Sequence, residues 1–373
     1  MIALVLSGGG ARAAYQVGVL AALSERLPSL NFPILTGVSA GAINTMSLAA
    51  HGGTFADAVD RLRQEWARLT PEQVYRIRPV RLGGAALRWL ASTALGRGRG
   101  QGPAQVRGML EMEPLREFLT RAIDIAGVET NLASGRLHAA ALTATSYANG
   151  ESVTFVHGAE TIAMWARVGR RAVRTRLTLD HVLASAAIPV VFPAVRLGEE
   201  YFGDGSVRRT APLAPAIHLG ARAILAIALH PRAPAAPSAP WLYPSAAETL
   251  GLVLNSVFHD ALDADAERLE RINRHLAVIP QGVAVPDGLV PIELLKVHPS
   301  QDLGVLAAGF TRLLPRGVRL VVESLGGERA TAVDFVSYLL FDPAYTSRLI
   351  DLAYADAQRE WPRYEAFLAR AGF

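Results

Sequence analysis

The serine of a Gly-x-Ser-x-Gly run is the residue best placed for chemistry in this chain. Ser39 is the centre of Gly37–Gly41, between an apolar run at 32–35 and a helix-compatible run from Ala42 to Ala50. Glycines on both sides permit the sharp strand-to-helix turn that lifts a serine hydroxyl out of a sheet. The amides of the helix then point to where negative charge develops during acyl transfer. This pattern predicts a nucleophilic serine; the alternative is a turn whose serine only caps the helix.

A nucleophilic serine requires a base, and two arrangements are available. The nine histidines allow a Ser-His-carboxylate triad, but none lies in a distinctive local motif. In α/β-hydrolases the serine turn comes later in the sheet, whereas here it follows the second predicted strand. Asp204, between Gly203 and Gly205, is the better candidate, because a carboxylate on a tight turn can take the hydroxyl proton of Ser39. The alternative is an ordinary Asp-Gly turn.

A cluster of glycines follows the first predicted strand. Gly8, Gly9 and Gly10 precede a predicted helix and offer unobstructed amides to an anion. The same glycines also fit a relaxed dinucleotide-binding pattern. That function needs an acidic residue at the end of the second strand, where this chain has 36–39, Thr-Gly-Val-Ser. An anion site serving acyl transfer is therefore favoured over a dinucleotide site.

Composition narrows the class of protein. The chain has 373 residues, 51% hydrophobic and 19% charged, which is typical of a globular protein. It has no cysteine, so disulfides, thiolate metal sites and cysteine nucleophiles are excluded. No apolar run reaches the roughly 18 residues needed to span a bilayer, and the first residues do not resemble a secretory signal. The sequence predicts a cytoplasmic location, with peripheral membrane contact left open.

The order of elements predicts an α/β fold. Ile2 to Leu6 and Phe32 to Thr36 are short apolar runs, and each is followed by a glycine-rich turn and a helical pattern. Ala223 to Leu229 is a further buried strand. Strand, turn and helix repeated in this way indicate a doubly wound, mostly parallel sheet.

Two segments depart from this pattern. Residues 76–107 contain seven arginines, interleaved glycines and no acidic residue, and they form the centre of a predicted insertion at about 70–115. This insertion is either a solvated loop or a lid that contacts an anionic lipid surface. Residues 231–247 form a Pro/Ala-rich linker, and 248–373 form a mainly helical C-terminal region that packs on the core of 1–230. Within it we expect one long helix from Glu248 to Leu276 and a short strand at Leu276–Ile279.

Together and in this order, the motifs resemble those of the patatin-like phospholipases. The matching segments are Gly8-Gly9-Gly10-Ala11-Arg12-Ala13, Gly37-Val38-Ser39-Ala40-Gly41, Ala184-Ser185-Ala186-Ala187-Ile188-Pro189 and Asp204-Gly205-Ser206. The resemblance covers roughly residues 1 to 230. It implies a three-layer α/β fold with a mostly parallel central sheet. Ala13 stands where the family has glycine, and Ser206 where glycine or alanine is usual; neither change removes a catalytic group.

The resemblance also implies roles for individual residues. Ser39 becomes the nucleophile and Asp204 the general base of a Ser-Asp dyad. Amides of Gly8, Gly9, Gly10 and Ala40 form the oxyanion hole, and Arg12 steadies the loop or the substrate phosphate. Gly37, Gly41 and Gly205 support the turns.

The implied reaction is hydrolysis of a fatty-acyl ester of a phospholipid through an acyl-serine intermediate. It requires no metal or cofactor. The partners are the lipid and a membrane surface contacted through the Arg-rich segment, and no nucleic acid. The alternatives are a carboxylesterase or neutral-lipid lipase with the same dyad, or a catalytically idle lipid-binding protein with this fold.

Overall fold

A computed structural model describes residues 1–77, 108–208, 210–232, 243, 245–280, 283, 285, 288–324 and 333–373. Most of the predicted Arg/Gly-rich insertion, at 78–107, lies outside the described residues. So do most positions of the predicted Pro/Ala-rich linker. Whether the insertion is a loop or a lid therefore stays a prediction.

Twelve strands are present in the described part of the chain. They are β1 Ile2–Leu6, β2 Ile34–Val38, β3 Arg76–Ile77, β4 Leu110–Glu111, β5 Ala139–Ser146, β6 Ser152–Gly158, β7 Ala166–Arg167, β8 Arg170–Arg174, β9 Val195–Leu197, β10 Glu200–Asp204, β11 Ala223–Ile227 and β12 Glu293–Val297. Ten of them form one sheet, in the order β12-β11-β1-β2-β5-β6-β8-β7, with β10 paired to β5 and β9 to β10. The five strands from β12 to β5 are parallel, and antiparallel pairs begin at β5.

Helices cover both faces of this sheet. Their bounds are α1 Ala14–Arg26, α2 Ala40–Ala50, α3 Phe55–Arg68, α4 Pro71–Val74, α5 Glu113–Ala122, α6 Ala126–Ala133, α7 Leu179–Ser185, α8 Ala214–His218, α9 Ala246–Asn255, α10 Ala261–Ala277, α11 Leu303–Ala307, α12 Arg316–Ser324, α13 Val333–Leu339, α14 Pro343–Arg359 and α15 Trp361–Ala371.

The alternation of side chains along β1 shows the three layers. Ile2, Leu4 and Leu6 join the larger hydrophobic cluster, together with residues of α1, α2, α3 and α14. Ala3 and Val5 join the smaller cluster on the opposite face, with residues of α8 and α10. A strand buried on both faces is apolar throughout, as this one is, because successive side chains point in opposite directions. The predicted three-layer α/β fold with a helical C-terminal region is confirmed.

The helix expected from Glu248 to Leu276 is present, and it contains a π-helical turn at Ser256–Asp260, between α9 and α10. Another detail of the C-terminal prediction is wrong. The strand expected at Leu276–Ile279 is the end of α10 and the turn after it, and β12 supplies the strand instead. As an edge strand β12 is only partly buried, so it lacks the continuous apolar run that marked β1 and β11 in the sequence.

The C-terminal region packs closely on the first helix of the chain. One hydrophobic cluster contains Leu4, Leu20 and Tyr15 together with Phe335 and Leu349. The division into a core, a linker and a C-terminal region stays a proposal, and residues on both sides of it share this cluster. Gly18 of α1 packs closely on α14, because a Cβ there would lie 2.1 Å from the backbone oxygen of Ile350.

Replacing this glycine tests how tightly the two helices meet. We expect Gly18→Ala to destabilise the protein by about 1–3 kcal/mol, because the added methyl group must displace backbone rather than a flexible side chain. Gly309→Ala is the control, since a Cβ there meets nothing within 4 Å. Urea denaturation of both variants measures the effect. Equal stability of Gly18→Ala and the parent protein would contradict the packing described.

Candidate active site

Ser39 lies on a strained turn between β2 and α2. Its φ of 56° and ψ of −131° are rare for a residue with a side chain. Ser39 occupies the N-cap position of α2, but its side chain makes no capping hydrogen bond in this fully described helix. The alternative of a serine that only caps the helix is therefore not supported. Strain without a capping role is typical of a functional serine.

The two flanking glycines are required by close backbone contacts. A Cβ at Gly37 would lie 2.3 Å from Oγ1 of Thr45 and 2.4 Å from the backbone oxygen of Gly41. A Cβ at Gly41 would lie 2.4 Å from the backbone oxygen of Leu6, at the end of β1. The glycines thus let the first turn of α2 press against the ends of both β1 and β2.

The ends of β2 and β10 meet on one edge of β5. Val38, the last residue of β2, pairs with Thr143, and Asp204, the last residue of β10, pairs with Ala144. Because β6 occupies the other edge of β5 at both positions, β2 and β10 must share the same edge. Their chain ends therefore face each other at consecutive positions. A Cβ at Gly205 would lie 2.8 Å from Cγ2 of Val38, which confirms that the two turns are in contact.

The last residue of α7 and the segment that follows it bind both turns. The backbone amide of Ser39 donates to the backbone oxygen of Ser185 at 3.1 Å and lies 3.0 Å from its Oγ. That hydroxyl in turn donates to the backbone oxygen of Thr143 at 2.6 Å. Two residues later, the backbone oxygen of Ala187 accepts from the amide of Asp204 at 2.8 Å. Ser185 belongs to the Ala-Ser-x-x-x-Pro block, but the sequence alone gave it no individual role.

The carboxylate of Asp204 is fully buried. One of its oxygens, Oδ1, accepts a hydrogen bond from the backbone amide of Ser206 at 2.8 Å. The phenol of Tyr147 lies nearby, and burial followed by the negative charge of Asp204 raises the pKa of that phenol. Tyr147 was not expected from the sequence, because it stands next to no motif and reaches the site through the pairing of β5 with β10.

The predicted oxyanion residues occupy different surroundings. Gly10 has a φ of 55° and lines the same cavity as Ser39 and Ala40. Gly8 lies between Phe258 and Ser206: a Cβ there would be 2.7 Å from the ring and 2.8 Å from the hydroxyl. A Cβ at Gly9 would be 2.5 Å from Leu229. The glycine-rich loop is thus adjacent to both the serine turn and the aspartate turn.

Arg12 is buried and bound to the C-terminal region. Its guanidinium donates to Oδ1 of Asp334 at 2.7 Å and to Oγ of Ser337 at 2.6 Å. It also lies 4.2 Å from the ring centroid of Tyr338. Tyr338 contacts the loop as well, because a Cβ at Gly10 would be 2.2 Å from its backbone oxygen. These contacts favour the loop-steadying role of Arg12 over contact with a substrate phosphate.

A largely apolar cavity of about 390 Å³ is lined by Ser39 and by further residues of α2. Its apolar side chains include Ile43, Leu62, Trp66, Leu69, Val74, Leu115, Phe118, Leu119, Ile188, Phe192 and Phe341. Along α2 the lining residues Ser39, Ile43, Ser47 and His51 recur every four positions, so the cavity runs for about 18 Å beside the helix. It can hold an extended acyl chain.

Polar residues line the outer part of this cavity. They are His51, Arg61, Glu65 and Asp124, all partly or fully exposed. Burial and the charge of Arg61 lower the pKa of His51. His51 is the one histidine among the described lining residues, and it lies about 18 Å along α2 from Ser39. Among the described residues that line the cavity, no histidine is therefore placed to act as a base for Ser39.

The match to a family model is the observation that decides the family. The model of the patatin-like phospholipases matches residues 4–217, more than half of the chain. The chain belongs to the patatin-like phospholipase family. The matched range contains the serine turn, the glycine-rich loop and the aspartate turn, but it ends before β11, β12 and every C-terminal helix.

Solved structures with a similar arrangement are distant from this patatin-like protein. VipD from Legionella pneumophila is 14% identical, with a TM-score of 0.35 over 94% of this chain and 66% of VipD. Human GIVD cytosolic phospholipase A2, in complex with methyl gamma-linolenyl fluorophosphonate and terbium chloride, is 14% identical, with a TM-score of 0.44 over 100% of this chain and 59% of the human one. The patatin-like chain thus spans about three fifths to two thirds of these proteins. No curated protein sequence matches it significantly.

Neither a metal site at the serine nor a membrane-spanning helix is found in the described part of this patatin-like protein. The one described group of three residues with metal-ligand spacing is His230, Asp263 and His298, which lies after β11, in α10 and after β12. Among the described residues, no helix is long and apolar enough to cross a bilayer.

Replacing Arg12 tests its structural role in the patatin-like fold. We expect Arg12→Lys to cost about 1–3 kcal/mol of stability, because a lysine cannot bind Asp334 and Ser337 together through a planar fork. Arg167→Lys, on the exposed strand β7, is the matched control. Chemical denaturation measures both. If Arg12→Lys is as stable as the control, the loop does not depend on this contact.

Proposed function

We propose that this protein is a serine acyl hydrolase that cleaves fatty-acyl esters of phospholipids. Ser39 is the nucleophile and Asp204 the general base. The observation that carries the proposal is the meeting of β2 and β10 on one edge of β5, which brings the two turns together. The strained backbone of Ser39 and the apolar cavity beside it support the same role.

The chemistry proceeds in two steps. Asp204 takes the hydroxyl proton of Ser39 while the oxygen attacks the ester carbonyl carbon, whose electron pair moves to the carbonyl oxygen. The resulting oxyanion is stabilised by backbone amides of Gly9, Gly10 and Ala40 and by the N-terminus of α2. Collapse of this intermediate expels the alcohol, which receives the proton from Asp204. Water then attacks the acyl-serine by the same route, releasing the fatty acid and restoring Ser39.

The cavity supports a long acyl chain as the group transferred. Ser39 lines it together with mainly aliphatic and aromatic side chains, which favour a hydrocarbon over a polar group. The head group then extends away from this cavity. The family supports a phospholipid, while the apolar lining by itself suits a neutral lipid or simple ester equally well.

Access to a phospholipid requires contact with a lipid surface. We assign this contact to the Arg-rich segment 76–107, because guanidinium groups form bidentate hydrogen bonds with phosphate. Trp89 and the nearby leucines can in addition insert into the lipid interface. The protein then acts from the cytoplasm as a peripheral membrane enzyme.

Labelling with a fluorophosphonate tests the nucleophile and the base. We expect rapid labelling of the parent protein, none of Ser39→Ala, and labelling slowed at least 100-fold in Asp204→Asn, because proton removal by a positioned base contributes about that much or more. Ser29→Ala, at an exposed turn, is the control and should label at the parent rate. No labelling of the parent protein with or without anionic vesicles would identify an idle lipid-binding protein instead.

Blocking the cavity tests the acyl-chain assignment. Ser47 lies two helical turns beyond Ser39, about 12 Å along α2. We expect Ser47→Trp to reduce kcat/KM for palmitoyl esters at least tenfold and to leave acetyl esters within about twofold, because only the long chain reaches the added ring. Ser47→Ala should preserve both activities. Equal losses for long and short esters would contradict an acyl chain along α2.

A further inference from the structure

A second cluster of chemically active side chains lies at the carboxyl edge of the sheet. His230 comes three residues after β11, His298 directly follows β12, and Asp263 is in the first turn of α10. One ligand atom from each of these residues lies within 4.8 Å of the other two. β11 and β12 lie two and three strand spacings from β2, a distance of about 10 to 15 Å, so the cluster is distinct from the serine turn.

The orientation of His298 is typical of a metal ligand. Its Nδ1 lies 3.1 Å from the backbone oxygen of His230, which fixes the proton on Nδ1 and leaves the Nε2 lone pair facing the cluster. Nε2 is 4.0 Å from Oδ1 of Asp263, beyond hydrogen-bond distance. The side chain is 6% exposed, so it is held in place by its surroundings.

The other two ligands complete a three-coordinate set. Nε2 of His230 donates to Oδ2 of Asp263 at 2.7 Å, so metal binding requires its proton to move to Nδ1, which frees the Nε2 lone pair for the ion. Neighbouring ligands of a tetrahedral zinc ion lie about 3.4 Å apart, so the observed 2.7 and 4.0 Å separations require only small side-chain movements. The carboxylate is 38% exposed, which provides an entry path and a fourth position for water.

A cation already binds this carboxylate. Lys296, the single lysine of the chain, places its Nζ 2.6 Å from Oδ1 of Asp263. A lysine ammonium is a point charge on a flexible stem, so a divalent ion can displace it.

We propose that His230, Asp263 and His298 form a binding site for a first-row divalent metal ion of the Zn²⁺ class. Two imidazoles and one carboxylate are a ligand set suited to Zn²⁺ and unsuited to Ca²⁺ or Mg²⁺, which prefer oxygen. The ion links β11 and β12 to the start of α10. Phe258, in the π-helical turn directly before α10, packs against Gly8. The metal site therefore fixes the start of the helix whose preceding turn supports the glycine-rich loop.

Isothermal titration of the metal-free protein with Zn²⁺ tests the proposal. We expect one saturable site per chain, and binding at least tenfold weaker in His298→Gln and in Asp263→Asn. His275→Gln is the matched control, because this exposed histidine of α10 is outside the cluster. It should bind Zn²⁺ like the parent protein. Circular dichroism checks that each variant is folded.

Lys296→Met is a second variant, and it should change the affinity for Zn²⁺ in the opposite direction. Removing the competing ammonium while keeping the stem should tighten Zn²⁺ binding severalfold and increase the rise in Tm on adding Zn²⁺. Ca²⁺ in place of Zn²⁺ should raise Tm in neither protein. The proposal is overturned if neither the parent protein nor Lys296→Met shows saturable binding, or if binding survives in both His298→Gln and Asp263→Asn. Because binding is read without turnover, either result is independent of fluorophosphonate labelling.

Discussion

The geometry of the candidate site depends on one constraint: each edge of a strand pairs with a single strand at any one position. β5 pairs with β6 along one edge, so its other edge is divided between β2 and β10. β2 ends at Val38 and β10 ends at Asp204, one residue further along β5. This division forces the chain to turn sharply after both strands at the same place. The serine and the carboxylate are therefore positioned by backbone pairing, which is more rigid than loop packing.

The turn at Ser39 carries strain that its neighbours must offset. A residue held at an unfavourable φ and ψ costs of the order of 1–3 kcal/mol. Its amide is held by Ser185, and the two flanking glycines allow contacts of α2 with β2 and with β1 that any side chain would prevent. The strain is thus sustained by a hydrogen bond and by close packing on both sides of the turn.

Much of this arrangement follows from sequence, because its signals are local. A strand buried on both faces is a continuous apolar run, so β1 and β11 were predictable, and glycine motifs marked the turns; the strand expected at 32–36 is β2, shifted by two residues into the serine motif. The edge strand β12 and the π-helical turn were not, because neither produces a periodic pattern of its own. Tyr147 and Tyr338 reach the site only through long-range pairing and packing, which single-sequence periodicity does not contain.

The candidate site also depends on C-terminal residues that lie outside the part of the chain matched by the family model. Residues 4–217 contain the serine, the aspartate and the glycine-rich loop, yet that loop is enclosed by later residues. Arg12 is bound by Asp334, the backbone of Tyr338 contacts Gly10, and the ring of Phe258 contacts Gly8. A buried guanidinium without its carboxylate would be strongly destabilising. The conformation of the loop is therefore set jointly by the matched core and by helices that follow it.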